Sequence, residues 1–116
     1  MTDKKLLELA AKAAGKDHLF WNDGKTTAYY SGSLFYMTTP GSHTPWNPLT
    51  NDGDALRLAV KLKLGFEIDF DRIDVYHENG LSITEYRYEK PTPTDQYAAT
   101  RRAIVRAAAE IGKEMK

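Results

Sequence analysis

Apolar and polar positions change period several times along these 116 residues, and each change marks an element. Residues 2–14 carry Leu6, Leu7, Leu9, Ala10, Ala13 and Ala14 at helical spacing, with lysines between them, Thr2 as a cap and Gly15 as a stop. At Trp46, Asn47 and Pro48 the pattern breaks into a turn, because proline fixes its own φ and pushes the preceding residue out of the helical region. Thr50 to Asp52 then offer N-caps, and Asp52 and Asp54 suit the positive end of a helix dipole. Leu56, Ala59, Val60 and Leu62, flanked by Ala55, Leu58 and Leu64, make a wide apolar arc that Gly65 closes.

The period then drops to two. Phe66, Ile68 and Phe70 alternate with Glu67, Asp69 and Asp71, which predicts a strand with one oily side turned inward and three carboxylates turned outward. Residues 73–77 and 81–88 read as two further strands, and Asn79-Gly80 between them is the strongest hairpin signal in the chain. Pro91 and Pro93 end the sheet, and Thr94 and Asp95 open a last helix. Tyr97, Ile104, Ala108, Ile111 and Met115 share one side of that helix, with Val105 beside them. Its many alanines keep the surface thin enough for a close neighbour, and Gly112 is expected to fray its end. Together these elements predict a single α+β domain over 1–116, with three helices packed with a three-stranded antiparallel meander.

Residues 16–45 add Gly, Ser, Thr and aromatic residues. Two β-prone runs, 28–30 and 34–36, flank Ser31, Gly32 and Ser33 and predict an accessory aromatic β-hairpin able to extend the sheet. Seven of the chain's thirteen aromatics lie between Asp17 and Trp46. Flat rings with a polar handle suit a ligand or peptide site, so Trp21, Tyr29, Tyr30, Tyr36 and Trp46 are candidate binding residues. Burial against the core is the competing use of the same rings.

A chain of this length buries about two thirds of its unfolded surface and needs no staple. The absence of cysteine removes thiolate catalysis, redox chemistry and Cys-type zinc sites, and it fits a reducing cytoplasm. No apolar run reaches the roughly 18 residues of a membrane helix, and acids inside the first apolar segment are unlike a secretory signal. No membrane partner is expected.

Net charge is zero but unevenly spread: residues 66–89 hold seven acids against Arg72 and Arg87, whereas 90–116 hold six Lys or Arg against three acids. A generic nucleic-acid binder is basic overall, so nucleic acid remains a partner only through a local patch. Arg101, Arg102 and Arg106 form that patch, with Arg102 and Arg106 neighbours at i, i+4. Salt bridges to the acidic strands would use up the same arginines.

Catalytic motifs are missing. His18, His43 and His77 are scattered without ligand spacing, no phosphate loop or nucleophile elbow is present, and Asn51-Asp52-Gly53-Asp54 lacks the later acid of a calcium loop. Glu67, Asp69 and Asp71 stand about 7 Å apart in succession along a strand face, which suits a solvated outer surface better than a cation site. No enzyme activity, metal or cofactor is expected.

WNPLTNDGDALRLAVKL followed by a short sheet and DQYAATRRAIVRAAAEIG resembles small phage and prophage proteins of the NinX-like and phage ABA-sandwich type. The likeness covers about 44–70 and 93–112 well, the first helix loosely and the aromatic hairpin hardly at all. It implies a phage or prophage origin and a sheet contacted by helices, in a family whose function is largely unassigned. The helix, meander, helix order of 51–116 is also that of a double-stranded-RNA-binding domain, but the turn at Asp71-Arg72 is too short to reach a minor groove, and the last helix opens on Asp95 instead of lysines. The reading that unites these points is a non-enzymatic phage or prophage accessory protein that binds a host or phage macromolecule, most simply a protein. A nucleic-acid module built on the last helix and a nucleotide-sequestering protein are the alternatives.

Overall fold

The computed structural model describes residues 2–15, 20–21, 34–39, 42–86 and 95–115, with only the backbone course given for 20–21, 34–39 and 42–45. Among these residues three helices, α1 (Asp3–Ala13), α2 (Asp52–Leu62) and α3 (Gln96–Glu114), accompany six strands in two antiparallel sheets. One sheet contains β1 (Phe20–Trp21), β2 (Leu34–Thr39) and β3 (Ser42–Trp46) in that order, and the other contains β4 (Gly65–Ile68), β5 (Arg72–Tyr76) and β6 (Ser82–Tyr86). The α+β class and the three-stranded meander stand as the periodicity predicts.

The aromatic region departs from expectation. Residues 28–30 lie outside the described residues; 34–39 pairs with Phe20–Trp21 on one side and Ser42–Trp46 on the other, in a sheet separate from the meander.

Each helix begins on a side chain that satisfies an orphan backbone donor. Thr2 accepts from the Lys5 N–H, Asn51 from Asp54 and Asp95 from Tyr97. The stop of α2 falls on Lys63 and not on Gly65: Lys63 adopts φ 56° and ψ 46°, its N–H reaches the Val60 carbonyl, and the Leu64 N–H reaches Ala59. That pair of bonds is a Schellman closure with a lysine where glycine is usual. Gly65 instead opens β4, where the Tyr76 ring lies over it from the paired strand and leaves no room for a Cβ.

α3 is the element that the other two helices and two strands of the meander pack against. It contacts α1, α2, β5 and β6, while α1 and α2 hardly meet. Ala99, Ala103, Ile104, Val105, Ala107, Ala108 and Ala109 are all buried, so most of its circumference is core. The alanines allow the close approach anticipated for them, and Gly112 completes it. Gly112 does not fray; it is buried against the Leu9 carbonyl of α1, and a methyl group there would collide with that backbone.

Under α3 the meander contributes Ile73 and Val75, both fully buried. The register places Phe66 beside Val75 and Ile68 beside Ile73, hence on the same face. They are nevertheless 37% and 51% exposed, and Phe70 is 79% exposed. This corrects the expectation of a covered oily strand. β4 is an edge strand that α3 only partly covers, and it ends at Ile68, so Phe70 sits with Asp71 in the tight turn closed by the Asp69 N–H on the Arg72 carbonyl at 2.8 Å. The arc of α2 is likewise narrower than its sequence: Ala55, Leu58 and Ala59 are buried, while Leu56 and Val60 face outward.

Candidate functional site

The first turns of α2 and α3 are held together by a polar clamp built on the turn before α2. Asn47 Oδ1 accepts from the Leu49 N–H at 3.0 Å, and the Asn47 N–H donates to Asp54 Oδ2 at 3.0 Å. Asp54 is buried, and its other oxygen takes Arg57 Nη2 at 2.7 Å. Arg101 then crosses from α3, with Nε donating to the Leu49 carbonyl at 2.9 Å and Nη1 meeting Asp52 Oδ1 at 2.6 Å. Pro48 and Trp46 are buried beneath this turn.

Beside the clamp lies a groove of about 370 Å³ between α2, β4 and α3. Ala55 and Leu56 form one wall, Tyr97, Thr100 and Ile104 the other, and Phe66 and Ile68 the floor. Leu56 is 56% and Tyr97 70% exposed. The Thr100 hydroxyl donates to the Gln96 carbonyl at 2.8 Å, which spends its polarity within the helix. The groove is therefore almost wholly apolar, with the Asp52–Arg101 pair closing one end.

Carboxylates border it. Glu67 points to the outer face of β4, and Asp69 and Asp71 lie in the turn beyond. Arg72 is shared among carboxylates: Nε lies 3.4 Å from Asp74, Nη2 3.4 Å from Asp69 and Nη1 3.6 Å from Asp71. The hydrogen bond to Asp74, then the charges of Asp69 and Asp71, raise the Arg72 pKa further above its already high ordinary value, so it stays protonated at any working pH.

A second constellation joins β6 to α3 and α1. Glu85 occupies a position on the helix-facing side of the meander and is buried. Arg106 Nη1 meets its Oε2 at 2.5 Å and the Thr84 carbonyl at 3.2 Å, and Arg102 Nε stands 3.8 Å from its Oε1. Arg102 Nη1 also reaches Asp3 of α1 at 3.1 Å. A smaller, polar cavity of about 250 Å³ between Leu6, Ile83, Arg102, Arg106 and Glu110 lies beside them.

The described candidates named from sequence do not form one site. Arg101, Arg102 and Arg106 each meet a carboxylate of their own domain and act as ties between elements. Trp46 is core and presents no binding surface. The side chains of Trp21 and Tyr36, and Tyr29 and Tyr30 altogether, lie outside the described residues. Leu56, Phe66 and Ile68, which the sequence turned inward, and Tyr97, which it placed on one side of the last helix, are the ones brought together at a surface. The sign of this was an apolar arc on α2 wider than one helix neighbour can cover.

Among the described residues no three His, Cys, Asp or Glu side chains converge as a metal site, and no helix is long and apolar enough to cross a membrane. No family model, no curated protein and no solved structure matches the chain.

Proposed function

We propose that this chain is a non-enzymatic phage or prophage accessory protein that acts by binding a host or phage protein, with the groove between α2, β4 and α3 as its contact surface. One observation carries the reading: Leu56, Phe66, Ile68 and Tyr97 stay exposed around a single apolar cavity, although fully burying such a side chain is worth about 1.5–3 kcal/mol. A partner recovers what the isolated chain forgoes. Exposed apolar side chains gathered around one cavity suit an interaction site. The origin rests on the resemblance of 44–70 and 93–112 to phage and prophage proteins.

The nucleic-acid alternative has less support, because its three arginines are already opposed by Asp52, Asp3 and Glu85. Nucleotide sequestration retains some: the groove volume falls at the small end of ligand pockets, about 300–1,000 Å³, and Tyr97 could stack on a base.

A photo-crosslinking amino acid in place of Leu56, used in host lysate with and without Ile68→Lys, tests the reading. A defined protein adduct that disappears in the Ile68→Lys background is expected. An unchanged adduct set, or none, would overturn it, and a rise in melting temperature with millimolar nucleotide would favour sequestration instead.

A further inference from the structure

Deepening that reading, we propose that the groove takes an extended segment of a partner protein, with apolar and basic residues alternating, added as a fourth strand beside β4. Three features of the structure converge on this occupant.

The first is width. Helices pack about 8–10 Å apart whereas strands lie about 4.8 Å apart, so three helices side by side overhang three strands. On the α2 side the overhang is the groove, floored by Phe66 and Ile68 and, among the described residues, open beyond them. One more strand fits there and brings an apolar side chain under Leu56 and Tyr97.

The second is the backbone. Among the described residues β4 pairs only with β5. The Asp69 N–H bonds to Arg72, and hydrogen bonding alternates along an antiparallel strand, so Gly65, Glu67 and Asp69 direct their amides to β5. The amides and carbonyls of Phe66 and Ile68 therefore face the open edge. These are the groups an added strand uses.

The third is charge. Glu67 stands on the outer face of this edge with no ion-pair partner among the described residues, while Asp69 and Asp71 share Arg72 with Asp74. Residues directly opposite across strands interact, so an added strand turns its outward side chains toward these carboxylates. Lysine or arginine is favoured there. A second copy of this chain, paired through its own β4, would bring Glu67 against Glu67, and a phosphate backbone would meet the same repulsion.

The test uses the full chain and a labelled nine-residue peptide alternating valine and lysine, with a valine and glutamate peptide as control. The lysine peptide should bind at least tenfold more tightly by fluorescence anisotropy. Glu67→Lys should reverse that preference, and Ile68→Lys should abolish binding while leaving the melting temperature near that of the parent, since both sites are exposed. Amide hydrogen exchange should slow at least tenfold at Phe66 and Ile68 on binding, and not at Glu67.

Equal affinity for the two peptides, binding without protection at Phe66 and Ile68, or a dimer with both amides protected before peptide is added would each overturn the proposal. Should the peptide fail while the crosslinked adduct still depends on Ile68, the strand-addition mode alone falls. If both fail, the groove is not a protein-binding site.

Discussion

Glu85 and Arg106 meet where β6 passes under α3, with Oε2 2.5 Å from Nη1 and Arg102 on the other oxygen at 3.8 Å. The carboxylate is buried and both guanidiniums are partly wet. Removing it deprives Arg106 of its carboxylate beside the core, while Arg102 keeps Asp3. Solvent reaches both arginines, so Glu85→Ala should lose about 2 kcal/mol, below the full buried-pair range. Arg106→Ala should lose at least as much, because it takes the close partner from the buried carboxylate and leaves Arg102 at 3.8 Å. Urea denaturation of the two variants gives the comparison.

Gly112→Ala reverses the sign expected from helix propensity. Alanine would gain about 1 kcal/mol in an exposed helix interior. Here the new methyl meets the Leu9 backbone carbonyl, which cannot step aside as a side chain would. A loss of about 1–3 kcal/mol is expected from overpacking, read as a lower melting temperature.

Lys63→Gly should stabilise. Lys63 holds a left-handed conformation that costs a Cβ-bearing residue about 1 kcal/mol or more, and its exposed side chain makes no ion pair among the described residues. After the greater entropy that glycine loses on folding, a gain of about 0.5 kcal/mol remains, measurable as a higher denaturation midpoint.

Leu56→Ser and Ile73→Ala separate the groove from the core. Leu56 faces solvent, so its replacement should stay within about 0.5 kcal/mol of the parent while weakening partner capture. Ile73 is fully buried, and its truncation should cost about 2–4 kcal/mol. Paired unfolding and crosslinking experiments distinguish the two.

Replacing Arg101, Arg102 and Arg106 together by alanine should appear in stability and not in nucleic-acid affinity. The three arginines tie α3 to α2, α1 and β6. Binding to mixed DNA or RNA that falls steeply with salt, and vanishes in the triple variant, would contradict this.

Local signals carried much of the architecture. Thr2 and Asp95 cap the helices expected to follow them, Asn79-Gly80 turns β5 into β6 with Gly80 at φ 96°, and the alternation through Ile73 and Val75 marks the buried face. Each depends on neighbours within a few positions. Coverage does not: periodicity set Phe66 and Ile68 on the same side as Val75 and Ile73, but only the place of β4 at the sheet edge leaves them half in water. Glu85 sits in an apolar register, and its meaning depends on Arg106, an element away. The groove was illegible for the same reason, because its walls come from segments that meet only after the chain has folded.

Since the buried face of α3 is mostly alanine, with only Ile104 and Val105 larger among its buried residues, its distance from its neighbours is set largely in steps the size of a single methyl. Such an interior has almost no slack for enlargement, and any residue that grows there needs a compensating loss directly opposite. Divergence among descendants of this chain would then be pushed outward, to Leu56, Ile68 and Tyr97, where new specificities can be sampled without reopening the interior.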